Sequence, residues 1–312
     1  MPAPPSSRPD PPILRLLADD LTGALDSAAR FVPLVGAVPA IWSGPVPAGT
    51  VAFDSGTRDL DAASAAAAMR GLTGVLSCGT IAFKKIDSAW RGHVAMELDA
   101  CRAGFDRCVI APAFPAQGRV TRGGRQWVGD RDAGAPVPML DAETDADLDA
   151  IVAQGRALPG RVLWVGTGGL AGALAGRRPV PCPVLPQPIV ALIGSDHPTT
   201  LAQVAPHRHR PNVVTADLPP GIAREAALQV ITARFVAVLT EIPRPGTLFV
   251  TGGTTLRALC EALGATGLTV DGEVEPGVPT SILRGGAWDG QRIVSKSGGF
   301  GDSGLLVRLL DR

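Results

Sequence analysis

The stretch ILRLLADDLTGA, residues 13–24, decides the fold class. Its first half is an apolar run of strand length, and its second half passes through two acids into small residues that favour a helix start. The same order, a short apolar run followed by a stretch rich in Ala and Leu, recurs along the chain and is typical of βαβ units. We therefore predict an α/β fold with mostly parallel sheets flanked by helices.

This recurring pattern assigns much of the chain to strands and helices. Strands are predicted over residues 13–18, 51–54, 80–86, 108–111, 162–165, 189–193, 247–251 and 292–295. Helices are predicted over residues 22–31, 60–70, 94–103, 145–157, 222–239, 255–263 and 303–310. The strands tend to end in Gly, Asp or Ser, which is where ligands bind in open α/β sheets.

A proline-rich segment divides the chain. Five of the ten residues 179–188 are Pro, a density that suits neither a helix nor a central strand and favours a connector. A length of 312 residues fits two domains of about 150 residues each. We predict a disordered Pro-rich tail at 1–12, a first domain at 13–178, a linker at 179–188 and a second domain at 189–312.

The composition excludes several classes of protein. With 29 basic and 29 acidic residues the formal charge is zero, which argues against nucleic acid or an anionic membrane held by bulk electrostatics. The longest apolar stretch, residues 31–42, is broken by Pro and Gly and is shorter than the roughly 18 residues that span a bilayer. No signal peptide is recognised, and five cysteines without a CxxC pair fit free thiols. We expect a cytoplasmic protein without a structural zinc site.

Two adjacent acids, Asp19 and Asp20, follow the first predicted strand. This position is the carboxyl end of a strand, where an open α/β sheet binds its ligand. The alternative is that Asp20 or Thr22 only caps the following helix. Because a cap needs one side chain, the second acid favours a functional site.

Two further segments place charged side chains at strand ends. In KKIDSAWRG, residues 84–92, the side chains of Lys85, Asp87 and Arg91 form a polar cluster that suits an anionic, hydroxylated small molecule. The alternative is a solvated turn held by salt bridges. In APAFPAQGR, residues 111–119, Arg119 follows a Pro-rich loop and is predicted to reach the same pocket.

The second domain carries two glycine-rich segments. In VTGGTTL, residues 250–256, paired glycines separate a strand from a helix, where free N–H groups and the helix dipole favour a phosphate. A structural turn is the alternative. In SKSGGFGD, residues 295–302, Lys296 joins three glycines in a predicted phosphate nest. Neither segment has the GxxxxGK[ST] spacing of a P-loop.

A third glycine-rich segment, GTGGLA at residues 166–171, formally fits the GxGxxA pattern of a dinucleotide site. Such a site also needs an acid about 20 residues later and a continuing βαβ unit. Here the chain enters the proline-rich segment instead, so a nicotinamide-dependent dehydrogenase is disfavoured. His207 and His209 lie in a basic stretch and are predicted to be solvated rather than metal-binding.

Taken in order, these segments resemble the four-carbon acid sugar kinase family, formerly a domain of unknown function. The resemblance rests on DDLTGA (19–24), DSGTR (54–58), KKIDS and RG (84–88 and 91–92), APAFPAQGR (111–119), GS (194–195), GG with Thr255 (252–253), PGVP (276–279) and KSGGFGD (296–302). It implies an ATP-dependent kinase that phosphorylates the terminal hydroxyl of erythronate, threonate or 3-oxo-tetronate. The first domain would bind the sugar acid and the second the nucleotide, with the active site in the cleft between them.

The resemblance and the clusters above give the candidate site residues. The substrate-binding candidates are Asp20, Arg58, Lys85, Asp87, Arg91 and Arg119, and the nucleotide-binding candidates are Ser195, Gly252, Gly253, Thr254, Thr255, Gly298 and Gly299. Asp20 is predicted as the catalytic base, oriented by Asp19, while Lys296 or a magnesium ion offsets phosphate charge; alternatively Asp20 only aligns the hydroxyl or ligates the metal. ATP and Mg²⁺ are the expected cofactors, and no metal ligand is assigned. The expected partners are small molecules, with self-association expected because many enzymes form homo-oligomers.

The chain departs from the family pattern in three places. Ala89 and Trp90 replace Thr and Leu, and Trp90 is bulky enough to reshape the acid pocket. Thr254 stands where an acid is frequent, and the stretch between Ser195 and Gly252 is short. The alternative function is a ligand-binding or regulatory protein with weak catalysis on the same scaffold.

Overall fold

The computed structural model describes residues 11–311. Its strands are β1 (Leu14–Ala18), β2 (Val38–Ile41), β3 (Val51–Asp54), β4 (Ile81–Lys85), β5 (Arg107–Ala111), β6 (Arg119–Arg122), β7 (Arg125–Val128), β8 (Arg131–Gly134), β9 (Val162–Gly166), β10 (Ile189–Ile193), β11 (Val213–Thr215), β12 (Thr247–Thr251), β13 (Gly267–Glu275), β14 (Val278–Arg284) and β15 (Arg292–Lys296). Its α-helices are α1 (Leu21–Val35), α2 (Ala62–Leu72), α3 (Val94–Arg102), α4 (Asp145–Arg156), α5 (Gly168–Leu174), α6 (Pro198–Val204), α7 (Arg224–Glu241), α8 (Gly253–Ala262) and α9 (Leu305–Leu310).

Every predicted strand and helix is present, and the structure adds elements that the sequence pattern missed. The added elements are β2, β6, β7, β8, β11, β13, β14, α5 and α6. Several of them lack the apolar periodicity on which the prediction depends. Strands β6 and β7 have the polar sequences RVTR and RQWV and are joined by Gly123 and Gly124, and α5 has the glycine-rich sequence GGLAGAL. Glycine lowers helix propensity, so packing rather than local preference must stabilise α5.

Twelve of the strands form one continuous sheet in the order β11-β10-β12-β15-β14-β13-β2-β3-β1-β4-β9-β5. Two groups of neighbouring strands pair in parallel. The first group is β2-β3-β1-β4-β9-β5, and the second is β11-β10-β12-β15. The antiparallel hairpin β13–β14 lies between these two groups, and β13 pairs with β2 at Leu268–Ala40 and Val270–Val38. The predicted mostly parallel α/β fold is confirmed, with the two parallel groups joined edge to edge.

Burial explains why β1 lies at the centre of its group. All five of its residues are buried, and it is paired on one side with β3 and on the other with β4. A strand covered on both faces reads as a continuous apolar run, as LRLLA does. Its one charged residue, Arg15, is satisfied by backbone carbonyls, including those of Val75 at 2.6 Å and Gly49 at 2.8 Å.

Helix α1 covers the seam where β2 meets β13. It packs against β1 and β2 in its own half of the sheet and against β13 and β14 in the other half. Leu25 and Ala28 of α1 belong to the same apolar cluster as Leu256 and Leu268 from the second half. The first turn of α1, which follows Asp19 and Asp20, is therefore held beside the second half of the molecule.

Three smaller features complete the fold. Strands β6, β7 and β8 form a separate antiparallel sheet, residues 119–134, which we call the flap. Residues 179–188 contain no helix or strand, and the Pro181 carbonyl accepts the Glu273 N–H at 2.9 Å along β13. The domain limits remain a prediction, and residues 1–10 of the predicted tail lie outside the described residues. None of the helices within residues 11–311 is long and apolar enough to cross a membrane.

Candidate active site between the two halves

A buried ionic network lies at the carboxyl ends of β1, β3 and β4. Arg58 forms two 2.8 Å hydrogen bonds to the carboxylate of Asp19, and its Nη2 lies 2.7 Å from Asp20. The same nitrogen lies 3.8 Å from Asp87. Three carboxylates thus surround one guanidinium, which was predicted to face substrate and instead is engaged by side chains of this chain.

The ion pair between Arg58 and Asp19 shifts the pKa of each group towards its charged form. Burial alone would lower the pKa of Arg58, but the three neighbouring carboxylates raise it well above its usual value. Burial alone would raise the pKa of Asp19, but Arg58 lowers it overall. Arg58 and Asp19 therefore form a rigid support that fixes the position of Asp20.

Asp20 serves both as the helix cap and as part of the site. Its Oδ1 accepts the Gly23 N–H at 3.0 Å, and its Oδ2 accepts the Thr22 hydroxyl at 2.7 Å. The carboxylate also faces the other half of the molecule, because a Cβ placed on Gly253 would lie only 2.9 Å from Asp20 Oδ2. The Thr22 hydroxyl lies 3.2 Å from that of Ser297. Asp20 is thus beside the start of α8 and the loop after β15.

The two lysines after Phe83 have different environments. Lys84 is fully buried and forms a 2.6 Å ion pair with Glu97, which makes it part of the core. Lys85 is also buried, but its Nζ donates only to the Ile86 carbonyl at 3.1 Å and forms no ion pair within residues 11–311. A Cβ placed on Gly23 would lie 2.7 Å from Lys85 Nζ, so this ammonium lies beside the first turn of α1.

Arg91 and Arg119 are the two arginines at the open side of the network. Arg91 forms two 2.9 Å bonds with Asp87, while 59% of its side chain stays exposed. These bonds hold the pKa of Asp87 well below its usual range, although burial opposes the shift. Arg119 has no acidic partner in the described part of the chain: it donates to the Ser88 hydroxyl and lies 4.7 Å from the ring of Phe300. Burial lowers the pKa of Arg119.

The 111–119 segment joins the first half to the second. Phe114 and Phe300 pack edge to face at 6.0 Å, and Gln117 donates to the Pro276 carbonyl at 2.6 Å. The predicted loops APAFPAQGR, PGVP and KSGGFGD therefore meet at one place. Arg119 lies at this junction, beside Gly299.

The paired glycines begin helix α8. Gly252 has φ +93°, and its N–H donates to the Lys296 carbonyl at 3.1 Å, which joins the ends of β12 and β15. Among residues 11–311, no side-chain hydrogen bond caps the N-terminus of this helix. Its first N–H groups therefore keep their capacity to bind an anion. Thr255 is buried and donates to the Gly194 carbonyl at 3.2 Å, whereas Thr254 donates to Asp59 of the first half at 3.1 Å.

Lys296 is a buried ammonium surrounded by neutral acceptors. It is 1% exposed and donates to the Thr200 hydroxyl at 2.8 Å and to the carbonyls of Gly298 and Ser297 at 3.0 and 3.2 Å. It forms no ion pair in the described residues, and burial lowers its pKa to about 7. Gly298 is in close contact with Ser195, so the candidate residues Ser195, Gly298 and Lys296 lie close together.

His197 was missed by the sequence analysis. Its Nδ1 accepts the Thr199 N–H at 3.2 Å, which leaves Nε2 as the protonated nitrogen of the neutral ring. Nε2 lies over Gly299, at 3.2 Å from a Cβ placed there. Burial and the nearby cations, first Lys296, lower the pKa of His197. Its place two residues after Ser195, at the end of β10, was the available signal.

Asp54 and Arg257 were also missed as a pair. Asp54 ends β3 and is buried, and its Oδ2 lies 2.9 Å from Arg257 of α8. Burial raises the pKa of Asp54 to about 6 despite this partner. The pair joins the two halves next to Asp20.

The GxGxxA segment has a structural explanation. A Cβ on Gly166, Gly168 or Gly169 would collide with the chain at residues 111–114 or with Leu170. The glycines therefore allow β9 and α5 to pack closely against that chain. All three are buried, which leaves no open loop for a dinucleotide.

Comparisons with known proteins match two separate parts of the chain to two family models. A family model described as a sugar-binding N-terminal domain matches residues 14–138, and one described as a nucleotide-binding C-terminal domain matches residues 219–306. Two proteins named D-threonate kinase are each 29% identical to the chain. The one from Bordetella bronchiseptica is matched over 95% of this chain and 96% of its own length, and the one from Cupriavidus necator over 93% and 95%.

A solved structure shows the same fold. A Haemophilus influenzae protein assigned to the family DUF1537 superposes with a TM-score of 0.64 at 18% identity, over 92% of this chain and 97% of its own. The chain belongs to the four-carbon acid sugar kinase family. The alignment with the Bordetella protein runs over 392 positions, more than the 312 residues of this chain, so that relative has segments that this chain lacks.

Proposed function

We propose that the protein is an ATP-dependent kinase that transfers a phosphoryl group to the terminal hydroxyl of a four-carbon sugar acid. The observation that carries the proposal is the approach of Asp20 and Thr22 to the start of α8 and to Ser297. Phosphoryl transfer depends mainly on positioning and on neutralising charge. Here a carboxylate from one half faces an anion-binding surface from the other.

Arg119, Lys85 and Arg91 are proposed to bind the sugar acid. Arg119 and Lys85 have no acidic partner within residues 11–311, and Arg91 exposes most of its side chain. A guanidinium suits the two oxygens of a carboxylate. Arg58, in contrast, is assigned to hold Asp19 and Asp20 in place.

The second half is proposed to bind the phosphates of ATP. The uncapped N-terminus of α8 supplies N–H groups, and Lys296 supplies a cation that lacks an acidic partner in the described chain. Within residues 11–311, no group of three or more His, Cys, Asp or Glu side chains could hold a metal ion. Mg²⁺ is commonly held by one or two carboxylates together with nucleotide phosphates. We therefore propose that it enters the site already bound to ATP. Bound there, it would offset the charge of the β- and γ-phosphates.

Asp20 is proposed to orient the substrate hydroxyl and to accept its proton. Its two oxygens already accept hydrogen bonds from Gly23 and Thr22, and Arg58 fixes the carboxylate in one orientation. A carboxylate held in this way favours one approach of the hydroxyl. The same geometry serves if Asp20 only aligns the hydroxyl.

The test is an ADP-release assay with Mg·ATP and the stereoisomers of threonate, erythronate and 3-oxo-tetronate. D-Threonate is the first candidate because two relatives carry the name D-threonate kinase. We expect ADP release that requires both substrates, with the phosphorylated acid identified by mass spectrometry. ADP release that is equal with and without every acid would refute the proposal.

A second candidate function is ligand binding without turnover. It is favoured by the short length of the chain relative to its aligned relatives and by Thr254, which stands where an acid is frequent in the family and donates to Asp59. Thermal stabilisation by a sugar acid or by Mg·ATP, with no ADP released when both are present, would support this candidate.

A further inference from the structure

The flap is attached to the turn at residues 87–91 at both of its ends. At its first residue, Arg119 donates to the Ser88 hydroxyl. At its last residue, the Gly134 carbonyl accepts the indole N–H of Trp90 at 3.2 Å. The turn and the flap therefore carry the two arginines of the proposed acid site, Arg91 and Arg119, on pieces that are joined twice.

Trp90 adopts a backbone conformation that is rare for its residue type. Its φ is +61°, in the left-handed region that bulky residues seldom occupy. Its backbone N–H donates to the Asp87 carbonyl at 3.0 Å and closes the turn. The indole packs against the apolar cluster that contains Ile86 and Val137. Such a conformation persists only where surrounding contacts enforce it, and it is concentrated at functional sites.

The position of Trp90 relates this strain to the arginines. The next residue is Arg91, whose backbone N–H and side chain both bond to Asp87. A shift of the Trp90 backbone would therefore move Arg91, and loss of the indole N–H would release the far end of the flap from the turn. Arg119 at the near end would then be held to the turn by the Ser88 bond alone.

We propose that Trp90 is a positioning residue of the acid site, which fixes the separation of Arg91 and Arg119 by attaching the flap to the 87–91 turn. This proposal rests on the proposed function, in which these arginines bind the substrate carboxylate. It makes Trp90 a determinant of which acids fit, because the separation of the two arginines sets where the carboxylate lies and therefore which acids place their terminal hydroxyl beside Asp20.

Two variants separate the contributions of Trp90. Trp90→Phe keeps an aromatic ring but loses the N–H, and Trp90→Gly relieves the positive φ while removing the ring. Trp127→Phe is the matched control, since Trp127 lies in the flap and its buried indole N–H has no partner in the described residues. Michaelis constants for the acid and for ATP are measured with the full-length protein.

We expect Trp90→Phe to raise the KM for the acid about three- to tenfold, because one hydrogen bond is lost. The kcat and the KM for ATP should stay within about twofold of the wild-type values. Trp90→Gly should raise the KM for the acid further and alter the preference among the acids. Trp127→Phe should leave kcat and both Michaelis constants unchanged. Equal changes in both Michaelis constants, or an unchanged KM for the acid in both Trp90 variants, would overturn the proposal.

Hydrogen exchange gives a readout that does not depend on turnover. Amides of residues 119–134 should exchange faster in both Trp90 variants than in Trp127→Phe or the wild type. Unchanged exchange in the flap would overturn the role of Trp90 even if the protein is a kinase. Absence of turnover in the wild type with every acid would instead refute the proposed function, and flap exchange would still decide whether Trp90 attaches the flap.

Discussion

The hydroxyl oxygens of Thr22 and Ser297 lie 3.2 Å apart, although 275 positions separate them in the chain. Thr22 also bonds to Asp20, while Ser297 follows Lys296. The Lys296 ammonium donates to the Ser297 carbonyl, so the predicted base and the predicted phosphate-binding cation are linked through Thr22 and Ser297. Asp20, Lys296 and residues near them are therefore the first targets for substitution.

Asp20→Asn should abolish most turnover while leaving the fold intact. Asn caps a helix about as well as Asp, so α1 should keep its cap, but the amide cannot accept a proton from the substrate. A loss of about 10²- to 10⁴-fold in kcat is expected if Asp20 is the base. Steady-state kinetics and the Tm are measured together.

The control for Asp20 is Asp61, the cap of α2, which accepts the N–H groups of Ala63 and Ser64 at 3.0 Å. Asp61→Ala should lower the Tm with turnover unchanged. An Asp20→Asn variant that retains kcat within about threefold would exclude Asp20 as the base and leave it only an aligning role.

Binding of Mg·ATP should take up a proton near pH 8. With a pKa of about 7, Lys296 is largely neutral there in the free protein, and phosphate groups beside it favour the ammonium. Calorimetry in two buffers of different ionisation enthalpy measures this uptake. Lys296→Met should lose the uptake and weaken ATP binding about ten- to hundredfold, whereas Lys296→Arg should bind ATP without uptake. Equal uptake in the wild type and Lys296→Met would contradict the assignment.

Arg119→Met should raise the KM for the sugar acid, with little effect on the KM for ATP. Removal of a charge-assisted bond to the carboxylate predicts about a ten- to hundredfold increase. Arg122 lies in the same flap and pairs with Glu143 on the surface, so Arg122→Met is the matched control with an unchanged KM. A KM for the acid that is equal in both variants would remove Arg119 from the site.

Asp54 should make the protein less stable as the pH rises from about 4 to 7. Its folded pKa of about 6 exceeds the unfolded value of 3.8, so in this range the folded state holds a proton that the unfolded state has released. The free energy of unfolding should therefore fall with rising pH, by at most about 3 kcal/mol from this group. Denaturant unfolding at several pH values should show a flatter dependence for Asp54→Asn. Equal slopes in the two proteins would contradict the raised pKa.

The fold class could be predicted because its determinants are local. The apolar run 13–18, followed by acids and small residues, forms a buried strand and a helix capped by Asp20, as its local pattern predicts. The pairing of β2 with β13 could not be predicted, because the two strands lie far apart in the chain and local sequence does not specify a distant partner. The strand β13 itself carried a signal that was missed, since Leu268, Val270 and Val274 alternate with polar residues as in a half-buried strand.

Which candidate residues lie close together could be predicted from the sequence better than the contacts that each of them makes. Strand ends identify which side chains gather, so Asp20, Arg119 and Lys296 were found together near the two glycine-rich segments. The partner of each ion depends on tertiary contacts, and for this reason Arg58 was assigned to substrate although Asp19 engages it. The left-handed backbone of Trp90 likewise depends on contacts with the flap that spacing does not indicate.

The main-chain hydrogen bonds between β2 and β13 have a mechanical consequence. Because these bonds join the two halves into one continuous sheet, a rotation that separated the halves would break backbone hydrogen bonds at the centre of the molecule. Bending or twisting of the sheet would leave these bonds in place and would cost less free energy. In the proposed kinase, the loops at the carboxyl ends of the strands would therefore admit the substrates, while the paired strands keep the two halves in a fixed arrangement.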